Sequence, residues 1–396
     1  MLFDYLNKLK MRLRFIIRYI FFSKKYYIVC NPNETFCKLC TIKEDSWEDS
    51  YCPPNYMHSK EQHLSVFKPA QYIYKTDNGV VFCGSDVVIT SKGVYWYKYN
   101  EEEFLTWFNG IPDTNVISYR KGEIRVRKYT RNFFIKGKVL SLLGVYDTHW
   151  VHFLFQYLPK LYISGEAGLF DNEITVLVPQ GEDLTIIEII NRFLVRYPKV
   201  KLVYAEKRVN YICDQLLFAP CSQYSWLDYN FRLDYPACMA SYVSRTLNKY
   251  LIEPLIDQVK DSHVSFEKIF LGRSGLRRTL INYEEVHDFF YKKGFVDVDG
   301  SKLTLEEKAN IFYHAKEVVG LNGGGLLNLI FGNKTKVLVF SNLKLSTDST
   351  GYILYRDKVS RYTLVTGSDF SPSYHTDFYI PLEKIMKAYN ECICES

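Results

Sequence analysis

Three consecutive glycines, Gly323, Gly324 and Gly325, separate an apolar run expected to form a strand from a leucine-rich run expected to form a helix. A helix that begins just after a parallel strand presents unpaired backbone N–H groups, which bind phosphate or sugar oxygens. The run therefore predicts a backbone site for a phosphate or a sugar, with Asn322 and Asn328 beside it. The alternative is a tight turn that needs glycine at a positive φ.

The same glycines do not fit the two best-known nucleotide motifs. A dinucleotide fingerprint needs GxGxxG on the first βαβ unit and an acidic residue about 20 positions later. Here Asn328 stands at the third glycine position, and the next strand ends in Ser341 and Asn342. A Walker A loop needs a GK[ST] sequence, which the run lacks. Neither an NAD site nor a P-loop is predicted.

An arginine-rich loop is expected in the same half of the chain. The segment "FLGRSGLRRTL" begins as a strand and then brings Arg273, Arg277 and Arg278 into a loop that contains glycine. Guanidinium groups bind phosphate through paired hydrogen bonds, and they can neutralise a departing diphosphate without a metal ion. We therefore predict a diphosphate site that needs no metal. The alternative is that these arginines are solvated loop residues.

A helix that carries histidines is predicted near residue 150. In "GVYDTHWVHFLFQYLPKL" the apolar residues repeat at helical spacing, and His149, His152 and Gln156 share another side. A histidine near a helix N-terminus is biased towards the neutral form, which can accept a proton. His152 is therefore a candidate general base, and Asp147 is expected to orient a histidine or to cap the helix. The alternative is a histidine that only packs or lies at the surface.

The elements that carry these residues alternate in type. From about residue 139 the periodicity predicts helices and strands in alternation, interrupted by a mostly helical stretch over 226–264. Such alternation is typical of parallel sheets built from βαβ units. The predicted fold is α/β, with two Rossmann-like lobes that face each other across a cleft. A β-rich part precedes them, with hairpins at Asp77–Gly79 and Lys92–Gly93.

A chain of 396 residues is too long for one compact core, so two domains of comparable size are expected. We predict a basic amphipathic arm and a cysteine-containing segment over 1–60, a first lobe over 61–225 and a second lobe over 226–396. Capping-box spacing predicts helix starts at Thr185, Asn282 and Thr304.

The net charge is +6, and much of it lies in the first 25 residues. The remainder is close to neutral, which disfavours binding of nucleic acid, since that needs a clustered basic face. The arm is too charged to span a membrane and lacks the uninterrupted apolar region of a secretory signal. It predicts a helix on an anionic membrane surface or one docked on the protein's own body. We therefore expect a cytoplasmic protein that contacts a membrane peripherally through residues 1–25.

Ten cysteines without a secretion signal predict reduced thiols. Cys37 and Cys40 have CxxC spacing, and Cys30 and Cys52 flank them, so a four-cysteine zinc site can be drawn. Because the sequence has no second CxxC pair, free or buried thiols are favoured over a metal site.

Taken together, these segments resemble the family 61 glycosyltransferases. The family pattern runs "YHFLFDxLPRL", "Rx4RxxxNExE", "EQxxxF" and "A..VVGxHGAGLxN". The corresponding segments of this chain are "VHFLFQYLPKL" at 151–161, "RSGLRRTLINYEE" at 273–285, "EKANIF" at 307–312 and "AKEVVGLNGGGLLN" at 315–328. The resemblance implies a glycosyltransferase B fold, a nucleotide-sugar donor, and transfer with inversion without an obligatory metal.

The resemblance also implies roles for single residues. His152 matches the family's helix histidine, and Arg273 and Arg278 match its arginines. Asn282 matches its asparagine, and Gly323, Gly325 and Asn328 match its glycine-loop positions. We expect His152 to act as the base or to position the acceptor, and the arginines and the loop to bind the donor, with a UDP-type donor favoured. A glycan, a lipid-linked precursor or a protein is the expected acceptor of a hexosyl, pentosyl or N-acetylhexosaminyl group.

Five positions depart from the family pattern. Asn322 stands in place of histidine and Gly324 in place of alanine, while Gln156 replaces an acid, Tyr283 a glutamate and Lys308 a glutamine. Asn322 can hydrogen-bond a sugar or a phosphate but cannot exchange a proton. The alternative function is therefore an inactive glycan- or nucleotide-binding protein with the same fold, and a more distant one is a sugar phosphotransferase.

Overall fold

The computed structural model describes residues 23–29, 31–68, 70–96, 113, 115–120, 122–181, 183–220, 223–224, 238–239, 241–263, 266–272, 278–345, 351–370 and 376–394. The basic arm over residues 1–22, Cys30, Arg273 and Arg277 lie outside these ranges. The chain divides into two compact units: Met1–Glu44 with Ala70–Cys221, and Asp45–Pro69 with Ser222–Ser396. The fold is mixed α/β with several sheets.

The strands in chain order are β1 Ser23–Tyr27, β2 Cys37–Lys43, β3 Ser46–Cys52, β4 Gln62–Lys68, β5 Gln71–Val81, β6 Val87–Thr90, β7 Gly93–Trp96, β8 Val116–Arg120, β9 Glu123–Arg127, β10 Arg131–Ser141, β11 Ile174–Pro179, β12 Val200–Ala205, β13 Val209–Phe218, β14 Gln223–Tyr224, β15 Cys238–Met239, β16 Lys268–Leu271, β17 Val296–Asp297, β18 Glu317–Leu321, β19 Thr335–Asn342, β20 Val359–Asp369 and β21 Phe378–Tyr379.

The α-helices are α1 Pro32–Thr35, α2 Trp150–His152, α3 Leu158–Glu166, α4 Leu184–Leu194, α5 Ser241–Leu247, α6 Glu253–Val259, α7 Tyr283–Lys292, α8 Leu305–His314, α9 Tyr352–Tyr355 and α10 Leu382–Tyr389. The π-helical segments are Phe153–Tyr157, Asn248–Ile252 and Asn390–Cys394, and the 3₁₀ segments are Gly324–Phe331, Leu343–Leu345 and Arg356–Lys358. Within the described ranges, no helix has the length and the apolar composition that crossing a membrane requires.

The first unit is organised by one mixed sheet. Its strand order is β12-β11-β10-β13-β5-β6-β7, and β2 also pairs with β5. The strands from β12 to β13 are parallel, and the others pair antiparallel. β11 is buried along its whole length, as expected for a strand covered on both faces. The helices α2 to α4 connect β10, β11 and β12, which confirms the alternation predicted here.

The second unit contains a six-stranded sheet in the order β17-β16-β18-β19-β20-β21. All pairs are parallel except β20 with β21. A core of buried residues from the sheet and from α7 and α10 fills one face, with Phe290, Phe340 and Tyr389 among its members. The segment predicted as a helix after the glycines is a 3₁₀ helix, and the edge strand β17 has only two residues.

Residues 45–69 belong to the second unit although they precede most of the first unit in the sequence. The segment joins β20 through two backbone hydrogen bonds, from Tyr56 N to Leu364 O (2.8 Å) and from Leu364 N to Pro54 O (3.0 Å). In the same segment, both carboxylate oxygens of Glu61 accept hydrogen bonds from Arg356, each at 2.8 Å. No local sequence pattern records this excursion, because its contacts join residues about 300 positions apart.

Two local predictions are wrong. Asp77–Gly79 is not a hairpin turn, since β5 runs through it, and Asn78 forms an irregularity with φ 52° opposite β13. Thr185 does not start α4; the carboxylate of Asp183 caps the helix by accepting from Thr185 N.

The other local predictions of turns and caps have mixed outcomes. The hairpin at Lys92–Gly93 is confirmed by the pairing of β6 with β7, and the capping box at Thr304 is complete. Asn282 occupies the N-cap position of α7, but its side chain does not accept a capping hydrogen bond. Its amide instead donates to Glu285 and to Ile380 O.

Candidate functional site

The glycine loop lies at the carboxyl edge of the second unit's sheet. β16 and β18 are parallel neighbours, with Leu271 opposite Gly320. The carboxyl ends of parallel strands meet at one edge of a sheet, where ligands bind in open α/β folds. The loop after β18 and the loop after β16, in which the arginines were predicted, therefore leave the sheet at the same edge.

Arg278 is anchored close to the end of a third strand of this sheet. The next residue, Thr279, donates from its backbone N–H to Asp377 Oδ1 at 2.8 Å, and Leu280 pairs with Phe378. The last residue of β19, Asn342, donates its side-chain amide to Thr376 O at 3.3 Å, which holds the same segment. The structure thus brings Arg278 to the edge that also carries the glycine loop.

The conformation of Arg278 is strained. Its φ is 61°, in the left-handed region that side-chain-bearing residues rarely adopt, and such strain concentrates at ligand sites. Its Nε atom is buried without a hydrogen-bond partner, and among the described residues no carboxylate pairs with the guanidinium. A buried donor without a partner costs free energy unless a ligand or water completes it. The group is thus suited to bind an anion.

The glycines are not required by a left-handed turn. Gly323 is extended, with φ 171° and ψ −173°, and neither Gly324 nor Gly325 has a positive φ. A Cβ at Gly325 would have no heavy atom within 4 Å, so the chain itself does not demand glycine there. Gly324 and Gly325 are exposed. The turn explanation is therefore wrong, and the open space above the loop remains available to a ligand.

Two asparagines fix the shape of the loop. The backbone N–H of Asn322 donates to Phe340 O at 2.8 Å, and its side-chain amide donates to Ser341 Oγ at 3.3 Å. Asn328 is 2% exposed and donates to Gly325 O at 3.0 Å, while its Oδ1 is buried without a partner. Asn328 therefore fixes the backbone at Gly325, and its buried Oδ1 atom can accept a further hydrogen bond.

In the first unit, His152 ends α2, and a π-helical turn over Phe153–Tyr157 follows it directly. Pro159 explains the wider turn, because it has no N–H and its ring would clash with a carbonyl in the preceding turn. Such π turns are frequent at functional sites. The ring of His152 is partly exposed and lies 4.8 Å from that of Tyr146 and 5.3 Å from that of His149. Both predicted histidines thus lie together.

Asp147 does not cap the helix, and within the described residues it makes no hydrogen bond to a histidine. Its Oδ2 accepts from Gly84 N and Gly144 N, both at 3.1 Å, and it is 2% exposed. Burial raises the pKa of Asp147 to about 7, against the opposing effect of these two N–H donors. Asp147 therefore ties the loop after β10, which leads to His152, to the loop after β5.

Asp86 is a second carboxylate in this network, and the sequence reasoning did not find it. Its Oδ1 accepts from Val145 N at 3.2 Å and lies 3.4 Å from the hydroxyl oxygen of Tyr157. The same hydroxyl donates to Val145 O at 2.7 Å. A Cβ at Gly144 would lie 2.2 Å from this hydroxyl, so only glycine fits there. No sequence motif marks these contacts, because they join residues about 60 to 70 positions apart.

The three described cysteines of the suggested zinc site belong to two different units. Cys37 and Cys40 lie on β2 of the first unit, whereas the buried Cys52 belongs to the segment in the second unit. Within the described ranges, no group of three or more histidine, cysteine or acidic residues could hold a metal ion. Burial raises the pKa of the Cys52 thiol, which favours its protonated form.

Comparison with protein families matches residues 150–339 to the model described as Glycosyltransferase 61. The match begins at α2, which carries His152, and ends within β19. It therefore spans every candidate site residue, from His152 through Arg278 to the glycine loop. A search among curated proteins found no match.

Proposed function

Because the chain belongs to glycosyltransferase family 61, we propose that it transfers a sugar from a nucleotide-sugar donor to a glycan, lipid-linked or protein acceptor with inversion. One observation carries the proposal. Arg278, strained and without an anionic partner among the described residues, lies at the same sheet edge as the open glycine loop. Both features are explained by a bound diphosphate.

The donor diphosphate occupies this edge. The guanidinium of Arg278, joined by Arg273, neutralises the charge that develops on the leaving diphosphate. The backbone N–H groups of Gly324 and Gly325 bind its oxygens, and the absence of a Cβ at these positions allows close approach. Asn322 hydrogen-bonds the sugar or a phosphate oxygen, and Asn328 keeps the loop in shape. This arrangement needs no metal, and a UDP-type donor is favoured.

Transfer is a single displacement in which His152 acts as the base. Its imidazole takes the proton of the acceptor hydroxyl as the acceptor oxygen bonds to the anomeric carbon. The bond from that carbon to the diphosphate breaks at the same time, and attack from the opposite face inverts the configuration. In this proposal the two units are the lobes of a glycosyltransferase B fold, with the acceptor bound by the first and the donor by the second. The enzyme acts in the cytoplasm, and its basic arm contacts a membrane.

The first test is a thermal-shift screen with UDP, GDP and CMP compounds, followed by turnover of a panel of nucleotide sugars. A ligand that binds the folded protein raises its melting temperature, and the rise grows with the logarithm of the ligand concentration relative to its Kd. We expect Arg278→Ala and His152→Ala to lower the transfer rate about 100-fold or more. Lys293→Ala, an exposed position at the end of α7, is the matched control and should leave it unchanged.

Nucleotide binding without turnover of any donor would reject the transferase and leave an inactive binding protein. Loss of nucleotide binding in His152→Ala, with binding retained in Arg278→Ala, would contradict the assignment of donor and acceptor sides. Inversion is checked separately by the anomeric configuration of the product.

A further inference from the structure

Strand β10 exposes two consecutive phenylalanines. Phe133 is 48% and Phe134 is 69% exposed. Successive side chains of a strand point to opposite faces, so each face of β10 carries one exposed ring, and the ring of Phe133 also lies 5.6 Å from that of Tyr211 on β13. β10 pairs with β13 from Arg131 onwards, but with β11 only from Val139 onwards. Among the described residues, the first part of β10 therefore has one edge unpaired within its sheet, and it carries two exposed aromatic rings.

The surface around these rings is basic. No acidic residue occurs between Ile124 and Tyr146. The basic residues of β9, β10 and their connection are Arg125, Arg127, Lys128, Arg131, Lys136 and Lys138. Two more exposed basic residues, Lys207 and Arg208, precede β13, whose first residue lies opposite Arg131.

The acidic residues that face this surface already take part in ion pairs or hydrogen bonds. Glu206 binds Arg131 at 3.0 Å, Asp214 accepts from Gly137 N at 3.2 Å, and Glu123 pairs with Lys25. Within the described part of the chain, three carboxylates thus lie among eight basic side chains, which leaves a positive surface. We call the exposed residues Lys128, Arg131, Phe133, Phe134, Lys136 and Lys138 the aromatic-basic patch.

Protection of a strand edge explains only part of the patch. Lysines and a bulge are devices that prevent edge-to-edge pairing, and β10 has both, with Gly137 at φ 76°. Exposed phenylalanines have the opposite effect, because apolar side chains at an edge favour association. The two rings therefore need another explanation. Aromatic side chains among lysines and arginines are typical of surfaces that lie in the interface of an anionic bilayer.

The position of β1, the strand that follows the basic arm, is consistent with a membrane as the partner of the patch. β1 pairs with β9 so that Ser23 lies opposite Arg127, and Arg125 donates to Ser23 Oγ at 3.4 Å. The chain therefore enters the first unit beside the patch. Tyr27 on the same strand is 73% exposed.

We propose that the aromatic-basic patch binds the surface of anionic phospholipid membranes. The phenyl rings of Phe133 and Phe134 enter the boundary between headgroups and acyl chains, and the basic side chains contact lipid phosphates. This surface lies within the described first unit and goes beyond the contact expected of the arm. It does not depend on the transferase chemistry, so failure of the proposed function would leave it standing. It would hold the unit that carries His152 at the bilayer, where a lipid-linked acceptor resides.

The test is flotation of the full chain with vesicles of phosphatidylcholine, alone or with about 30% phosphatidylglycerol, at about 0.05 and 0.5 M salt. We expect binding only to the anionic vesicles and weaker binding at high salt. Phe134→Ser and the double variant Lys136→Gln, Lys138→Gln should each lower the partition coefficient about tenfold. The substituted side chains are exposed, so the melting temperature should not change.

Two matched controls separate the patch from general effects. Leu184 is 77% exposed and begins α4, after the carboxyl end of β11, whereas Phe134 lies near the amino end of the neighbouring parallel strand. Leu184→Ser should bind vesicles as the wild type does. The double variant Lys292→Gln, Lys293→Gln removes the same charge from the second unit and should also leave binding within about twofold.

Three results would overturn the proposal. The first is wild-type partition of both patch variants, which would assign membrane binding to the arm or to another surface. The second is a dimer in solution that Phe134→Ser dissociates, without vesicle binding, which would make the patch an interface between copies of the chain. The third is binding of a duplex oligonucleotide that Phe134→Ser weakens while vesicle binding is absent.

Discussion

Replacing Asp147 by asparagine should make the stability of the first unit less dependent on pH. The pKa of Asp147 is raised from 3.8 to about 7 because the carboxyl is buried. Between these two values the folded state binds the proton and the unfolded state does not. The free energy of unfolding therefore falls as the pH rises from about 4 to about 7, by at most about 4 kcal/mol, and the loss is complete above pH 7.

Asparagine keeps the geometry and removes the charge. Its carbonyl oxygen can accept from Gly84 N and Gly144 N as Oδ2 of Asp147 does now. We expect Asp147→Asn to be at least as stable as the wild type at pH 8, and to lose the contribution of this group to the slope between pH 5 and pH 7. Asp147→Ala leaves two N–H groups without partners and should be about 2 to 4 kcal/mol less stable than Asp147→Asn at every pH.

The assay is urea denaturation at several pH values from 5 to 8, followed by fluorescence and by circular dichroism. Because two units are present, each transition is fitted separately. Parallel loss of stability in the wild type and in Asp147→Asn as the pH rises would refute the reasoning. It would mean that the buried carboxyl is not the group that binds the proton.

Three further predictions concern the second unit. Gly325→Ala should leave the melting temperature unchanged and weaken donor binding about tenfold in calorimetry, whereas Gly320→Ala, whose Cβ would lie 2.6 Å from a neighbouring side chain, should destabilise the fold. Arg278→Gly should raise the free energy of unfolding by about 1 kcal/mol, because glycine tolerates φ 61°. The same variant should bind nucleotide more weakly. If it is less stable than the wild type, the backbone of Arg278 is not strained. Hydrogen bonds from Arg356 lower the pKa of Glu61. The stability that this pair adds is therefore present above the unfolded pKa of glutamate and is lost as the pH falls through the folded value, and urea titrations of Arg356→Ala should show a smaller loss in acid.

Local patterns predicted most of the regular elements in the parallel part of each sheet. β11, β18 and β19 are short apolar runs bounded by polar residues, and a strand buried on both faces leaves that pattern wherever it lies. The capping box at Thr304 is also local, because its donors and acceptors lie within three residues of one another.

Features that depend on distant partners could not be predicted. Asp77–Gly79 has the composition of a hairpin turn, but a turn forms only when the strands on its two sides pair with each other. β5 instead pairs with β13 on both sides of Asn78, so the chain continues. The environment of Asp147 also depends on a distant partner, because one of its two hydrogen-bond donors, Gly84, lies 63 positions away.

Sequence motifs indicated which residues form the candidate site, but they did not predict the backbone conformation or the surroundings of those residues. The order of the segments led to His152, Arg278 and the glycine loop. The φ of Arg278, the open space at Gly325 and the π turn after His152 depend on the packing of neighbouring strands and helices. A single sequence does not encode these in a readable pattern.

The excursion of residues 45–69 into the second unit affects how the protein is made. Tyr56 hydrogen-bonds to Glu391, which lies 335 positions later in the chain. At translation rates of about 5 to 20 residues per second, the ribosome needs roughly 20 to 70 s between the two. During that time the segment has emerged and its final partners have not. The first unit therefore emerges while the segment still lacks its partners, and a residue synthesised 335 positions later completes the contact.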